Sequence, residues 1–171
     1  MVWTIGHSTR SLDDFIAVLD AHGIEALIDV RRFPASRRQP WFNTLPLAAS
    51  LEAAGIAYCW LPSLGGRRTP AMDSVNTGWN HASFRGYADH MQTEEFAGGL
   101  FELLMLAGGM RTAVMCAELL WWRCHRRLIA DQLTVLGFGV CHITTATAVA
   151  GHRLIPPAHM VRGRLSYAPQ P

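Results

Sequence analysis

Five short apolar runs are separated by segments with helical spacing: VWTIG from Val2, ALIDV from Ala26, IAYCWL from Ile56, TAVMCA from Thr112 and GVCHI from Gly139. This alternation constrains the fold more than any other feature. Strands that alternate with helices pack as a mostly parallel sheet with helices on both faces. The runs are apolar at nearly every position, as strands covered on both sides must be. The helical segments carry their own punctuation. Ser11 opens SLDD with a carboxylate three residues on, Leu12, Phe15, Ile16 and Leu19 follow at helical spacing, and Gly23 ends the segment. Helices are likewise expected over 44–54, 84–91, 94–106 and 121–136. The expectation is one α/β domain over 1–171 with about five strands, a Rossmann-like three-layer arrangement, and 112–117 as a central strand. From Thr144 onward four of the nine prolines occur and no period is visible, so 160–171 is read as a tail.

The apolar runs are far too short to cross a bilayer, and the chain begins without a basic, apolar leader. A cytoplasmic protein with no membrane partner is expected. The four cysteines at 59, 116, 124 and 141 have no zinc-ribbon spacing and are expected as reduced thiols. All 15 basic residues are arginine. Coding bias explains such a pattern, but it has a chemical consequence. No lysine is available as a Schiff base or general base, so the basic groups bind anions or stabilise charge.

In open parallel sheets, ligands bind outside the carboxyl ends of the strands. Those ends carry His7 and Ser8, then Asp29 and Arg31, then Tyr58 with Gly65, Gly66, Arg67 and Arg68 beyond, then Cys116 and Glu118. Residues two apart on a strand share a side, so Asp29 pairs with Arg31 and Cys116 with Glu118. Each also has an ordinary structural role: Cys116 and Cys124 as small buried residues, Asp29 and Arg31 as an ion pair, Glu118 as a helix cap, His7 as a loop hydrogen-bonder. The run RRFPASRR from Arg31 to Arg38 is either a solvated loop or an anion-binding one. The loop over 62–82 is longer than a plain connection requires. It is expected to border the pocket and to close on an anion through Arg67 and Arg68.

Several chemistries are weakened by spacing. His7 and Ser8 are adjacent, so on a strand they point to opposite faces, and a triad with Asp29 requires that the strand has already turned. There is no G-x-S-x-G, no G-x-G-x-x-G and no P-loop. Cys116, Cys124 and His125 offer zinc-binding atoms but no recognised spacing and no fourth ligand. DVR occurs in rhodanese-like sulfurtransferases, but the C-x5-R cradle fails, because Trp122 and Ala130 stand where the arginine is needed.

TIGHS at 4–8, DVR at 29–31 with P-x-S-R at 34–37, LGGRR at 64–68, FRGYADHM at 84–91 and MCAE…CHRRLIAD at 115–131 together resemble the bacterial family known as domain of unknown function 488. The resemblance runs over about 2–159, with CHI at 141–143 and HRL at 152–154. It implies a single-domain cytoplasmic α/β protein and supplies signature positions without roles.

The leading expectation is a hydrolase-like enzyme acting on a phosphorylated small molecule, nucleotide or nucleic-acid component. Glu118 is the candidate general acid or base with His125 as its partner, and Asp29 and His7 complete the catalytic candidates. Ser8, Arg31, Arg37, Gly65, Gly66, Arg67, Tyr87, Cys116, Cys124 and Arg126 are the ligand-binding candidates, aided by amides at the start of the helix after Glu118. The alternative is a non-catalytic nucleotide or nucleic-acid binding module in which Trp41, Phe42, Trp60 and Trp79 stack bases. The net charge of +2 is low for such a binder. A third reading is a thiol or metal protein using Cys116 and Cys124. No cofactor or metal is assigned, and the oligomeric state is left open.

Overall fold

The computed structural model describes residues 1–170. Its core is a six-stranded sheet of β1 (Val2–Gly6), β2 (Ala26–Asp29), β3 (Ala57–Trp60), β4 (Thr112–Cys116), β5 (Val140–Ile143) and β6 (Val149–Gly151), in the spatial order β3-β2-β4-β1-β5-β6. The first five run parallel, and β6 pairs antiparallel with β5. As expected, β4 is central, between β2 and β1, and its first four residues are buried. β3 departs from the doubly covered pattern: it is an edge strand with exposed ends.

Side chains alternate across the sheet and divide the core in two. Trp3, Ile5, Leu27, Ala113, Met115 and Ile143 face a cluster that includes Phe15, Leu19, Leu47 and Leu51. These last four belong to α1 (Leu12–Ala21) and α2 (Thr44–Ala53). Val2, Ile28, Val114 and Val140 face the other cluster, with Tyr87, Phe96, Leu103, Leu128 and Leu133. These come from α3 (Ala82–His90), α4 (Glu94–Gly109) and α5 (Arg126–Val135). The result is a three-layer α/β/α fold of Rossmann-like form.

Local chemistry starts the helices. Ser11 Oγ accepts the Asp14 amide at 3.1 Å, and Asp13 and Asp14 lie at the positive end of α1. Thr93 Oγ1 accepts the Phe96 amide at 3.2 Å, with Glu94 and Glu95 following.

Two expectations need correction. The helix expected over 121–136 is broken: a 3-10 turn covers Trp121–Arg123, Cys124 is extended, and the α-helix starts at Arg126. The segment from Thr144 is not featureless either. It adds β6 to the sheet and then the hairpin of β7 (His159–Val161) and β8 (Arg164–Ser166), which lies partly within 160–171. This segment docks on α5. Tyr167 Oη donates to Asp131 Oδ2 at 2.9 Å, and Arg127 donates to the carbonyls of Ile155 and Pro156. Among the described residues, no helix is long and apolar enough to cross a membrane.

Candidate functional site

The chain leaves β2 toward α2 on one face and leaves the adjacent β4 toward α5 on the other. Connections that diverge from neighbouring parallel strands leave a crevice at their carboxyl ends. A cleft of about 570 Å³ opens there. Its lining comes from the segment after β2 (Arg31, Arg32, Phe33), the loop after β3 (Gly66, Arg67), the start of α3 (His81, Ser83, Phe84, Tyr87) and the stretch from Cys116 to His125. The long loop therefore does border the pocket.

The floor is built from thiols and an imidazole. Cys116 ends β4, Cys124 lies in the extended break before α5, and His125 caps that helix. Their Sγ, Sγ and ring-nitrogen atoms all lie within 4.8 Å of one another, with Cys124 Sγ 3.6 Å from His125 Nδ1. The other ring nitrogen, Nε2, is 3.1 Å from the Val30 carbonyl. A carbonyl only accepts, so Nε2 carries a hydrogen, and Nδ1 is the ring nitrogen that faces the thiols. Burial opposes ionisation of Cys124, but the Cys116 thiol, His125 and Arg126 together hold it well below the ordinary thiol range. Cys116 is pushed up by sharing its proton with Cys124 and by burial.

Two glycines make this packing fit. A Cβ on Gly66 would fall 2.7 Å from His125 Nδ1 and 3.1 and 3.2 Å from Cγ and Cε1. Such near-equal distances place Gly66 over the ring face and leave the in-plane lone pair clear. A Cβ on Gly65 would collide with Arg32 and the Pro62 carbonyl. Arg67 then takes a φ of 60°, a left-handed conformation that costs a non-glycine residue about 1–2 kcal/mol.

Several sequence-predicted residues fall elsewhere. Asp29 aligns with Met115 in the sheet, so it points to the face opposite Cys116. It is fully buried, with Arg31 Nε at 2.8 Å, Arg31 Nη2 at 2.5 Å, the Arg31 amide at 3.0 Å and Tyr58 Oη at 2.8 Å. Those four donors occupy both carboxylate oxygens. Arg31 in turn holds the Phe42 carbonyl at 2.7 Å and contacts His7 Nε2 at 3.3 Å. His7 stacks on Phe42 with centroids 4.1 Å apart. Burial, with the Arg31 charge, drops its pKa to about 4. His7 and Ser8 do not line the cleft.

Arg126 is also committed. It is 1% exposed and donates to the carbonyls of Glu118 and Leu119 and to Cys124 Sγ at 3.4 Å. It braces the 116–126 loop and is not free to fork onto a phosphate. The amides expected to assist an anion at the start of α5 are also engaged: Arg127 bonds the Cys124 carbonyl and Leu128 the His125 carbonyl. Arg68 pairs with Glu95 at 3.0 Å, and Arg37 is exposed away from the cleft. Glu118 is exposed on the cleft wall, and His125 hydrogen-bonds Val30 rather than Glu118. Tyr87 is a buried wall residue whose hydroxyl donates to the Leu64 carbonyl at 2.7 Å.

Sequence reasoning passed over Arg32, Phe33, Phe84, Trp122 and Arg123 as site residues. None of Trp41, Phe42, Trp60 or Trp79 lines the cleft, and Phe42 and Trp79 are buried. Arg32 and Arg123 lie beside motif residues, which was the one available signal. Phe33 lies inside RRFPASRR and Phe84 opens FRGYADHM, whereas Trp122 had no such signal.

No curated protein and no solved structure matches the chain. A family model described as domain of unknown function DUF488 matches residues 11–133, well over half of the chain. The matched stretch includes the helices on both faces, the cleft-lining segments and the whole Cys116–His125 floor, while TIGHS, CHI and HRL lie outside it. On that match the chain belongs to the family described as domain of unknown function DUF488.

Proposed function

We propose that the chain is an enzyme that hydrolyses a phosphorylated small molecule or nucleotide bound in this cleft. The charge of the lining carries the reading: Arg31, Arg32, Arg67 and Arg123 face one carboxylate, Glu118. Of these, Arg32, Arg67 and Arg123 form no ion pair among the described residues. Unpaired guanidinium groups around a concavity suit phosphate, which they bind through forked, charge-assisted hydrogen bonds. Phe33, Phe84 and Trp122 add apolar wall for a flat ring. The volume is that of a small-molecule pocket, which commonly spans about 300–1,000 Å³. Glu118 is the only carboxylate on the wall among the described residues and the candidate base for a water.

Calorimetric titration with nucleoside monophosphates, nucleoside diphosphates and sugar phosphates tests this, followed by product analysis. At least one of these ligands should bind in a salt-dependent way. The double variant Arg67→Gln, Arg123→Gln should weaken it at least about tenfold, since each charged hydrogen bond is worth roughly 1.5–3 kcal/mol. Glu118→Gln should keep binding and lose turnover. An unchanged affinity in the double arginine variant would overturn the reading. Binding without product from the unaltered protein would replace it with the non-catalytic module.

A further inference from the structure

We propose that Cys116, Cys124 and His125 form a binding site for a divalent transition metal, zinc foremost, with three protein ligands and a fourth position open to the cleft. Thiolate and imidazole donors suit zinc-like ions rather than magnesium or calcium. On bonds of about 2.3 Å to sulfur and 2.05 Å to nitrogen, the edge of a tetrahedron is about 3.6 Å. The Cys124 Sγ to His125 Nδ1 separation is 3.6 Å, and the whole donor set lies within 4.8 Å.

The surroundings match what such ligands need. A metal-bound histidine ordinarily donates its other nitrogen to a carbonyl or carboxylate, which orients the ring. His125 Nε2 does this to Val30 at 3.1 Å. Gly66 covers the ring face and leaves the lone pair open toward the sulfurs. Arg126 Nε donates to Cys124 Sγ at 3.4 Å, a contact that stabilises sulfur as a thiolate. Two thiolates and a neutral imidazole balance a divalent charge. All three ligand residues line the same cleft, so the fourth position faces it, as in sites that bind an exchangeable oxygen ligand. Their order along the chain, Cys-x7-Cys-His, is not a recognised zinc spacing. The donors meet because the chain turns back between the end of β4 and the start of α5.

The test needs no ligand for the cleft, so its outcome is separate from that of the phosphorylated-substrate reading. Protein purified reduced and without chelator is analysed for metal, then stripped and titrated with cobalt(II) and with zinc. About one ion per chain is expected, with the thiolate-to-cobalt charge-transfer band and the visible bands of tetrahedral cobalt. Cys116→Ser, Cys124→Ser and His125→Ala should each weaken zinc binding at least about tenfold, while Cys59→Ser should leave it unchanged. If a ligand variant does not fold, the cobalt spectrum of the unaltered protein still decides. Bound zinc should also protect Cys116 and Cys124 from joining as a disulfide under oxidised dithiothreitol. Stripped protein that yields no tetrahedral thiolate spectrum would overturn the proposal. So would full metal content in folded cysteine variants, or disulfide formation at equal rate with and without zinc.

Discussion

At the scale of single residues, the buried polar groups are arranged in chains, and one of them predicts how stability varies with pH. Thr4 Oγ1 lies 2.7 Å from His142 Nδ1, His142 Nε2 lies 3.0 Å from His152 Nδ1, and His152 Nε2 lies 2.8 Å from Asp131 Oδ1. Trp121 stacks on His142 with centroids 3.9 Å apart. With both rings neutral, one proton arrangement satisfies every contact: Thr4 donates to His142, His142 to His152, and His152 to Asp131. Burial, with the nearby His152 and Arg126, lowers the His142 pKa to about 3. The unfolded chain therefore takes up a proton near pH 6.5 that the folded chain refuses until about pH 3. Stability falls as pH drops through that window, by about 1.4 kcal/mol per unit for this one proton, or about 2 kcal/mol between pH 7 and pH 5. Burial of His7 acts in the same direction. Urea unfolding at pH 7, 6 and 5 should show the decline. His142→Gln should flatten it by close to one proton's worth, and an equal slope in both proteins would contradict the assignment.

At the scale of elements, glycines separate two kinds of position. Gly98 lies inside α4, and a Cβ there would meet nothing within 4 Å. Gly98→Ala should raise stability by about 0.5–1 kcal/mol through helix propensity alone. Gly66 is the opposite case, because a Cβ would press on the His125 ring that α5 and Val30 hold in place. Gly66→Ala should cost roughly 1–3 kcal/mol, as overpacking does. Chemical denaturation of the two variants gives the comparison, and a neutral Gly66→Ala would mean that the ring is not fixed. The same scale shows why the expected long helix fails. The apolar period runs on through Trp121–Leu136, but Arg126 is drawn inward to the carbonyls of Glu118 and Leu119. That contact opens the chain at Cys124 and presents its sulfur to the floor.

At the scale of the whole molecule, the C-terminal segment completes the α5 face of the sheet. Asp131 is fully buried, and its two partners, His152 and Tyr167, both come from beyond β5. A chain ending at Ile143 would leave that carboxylate without either. Leaving a buried carboxylate without its hydrogen-bond donors costs more than the roughly 1–3 kcal/mol of a neutral group. The shortened chain should unfold at a much lower urea concentration than the full one, and coincident curves would show that the hairpin is only an appendage. The family match ends at 133, before the segment that supplies both partners of Asp131.

The alternation of apolar runs with helical segments was enough to determine the α/β class, the parallel sheet and the central place of β4, because burial on both faces requires a strand without polar alternation. It was also enough to bring the chemistry to the carboxyl edge. Register lay beyond it. Asp29 aligns with Met115 and Val30 lies beside Cys116 only because β2 and β4 pair at that offset. A slip of one residue would exchange the faces. That offset puts Asp29, Arg31 and His7 into a buried cluster with Phe42 on one side and leaves the thiols of Cys116 and Cys124 with His125 on the other. Which arginines stay free was likewise a tertiary outcome. Arg31 and Arg126 are consumed by internal acceptors, while Arg32, Arg67 and Arg123 form no ion pair among the described residues and line the cleft, Arg32 with one donor on the Arg67 carbonyl.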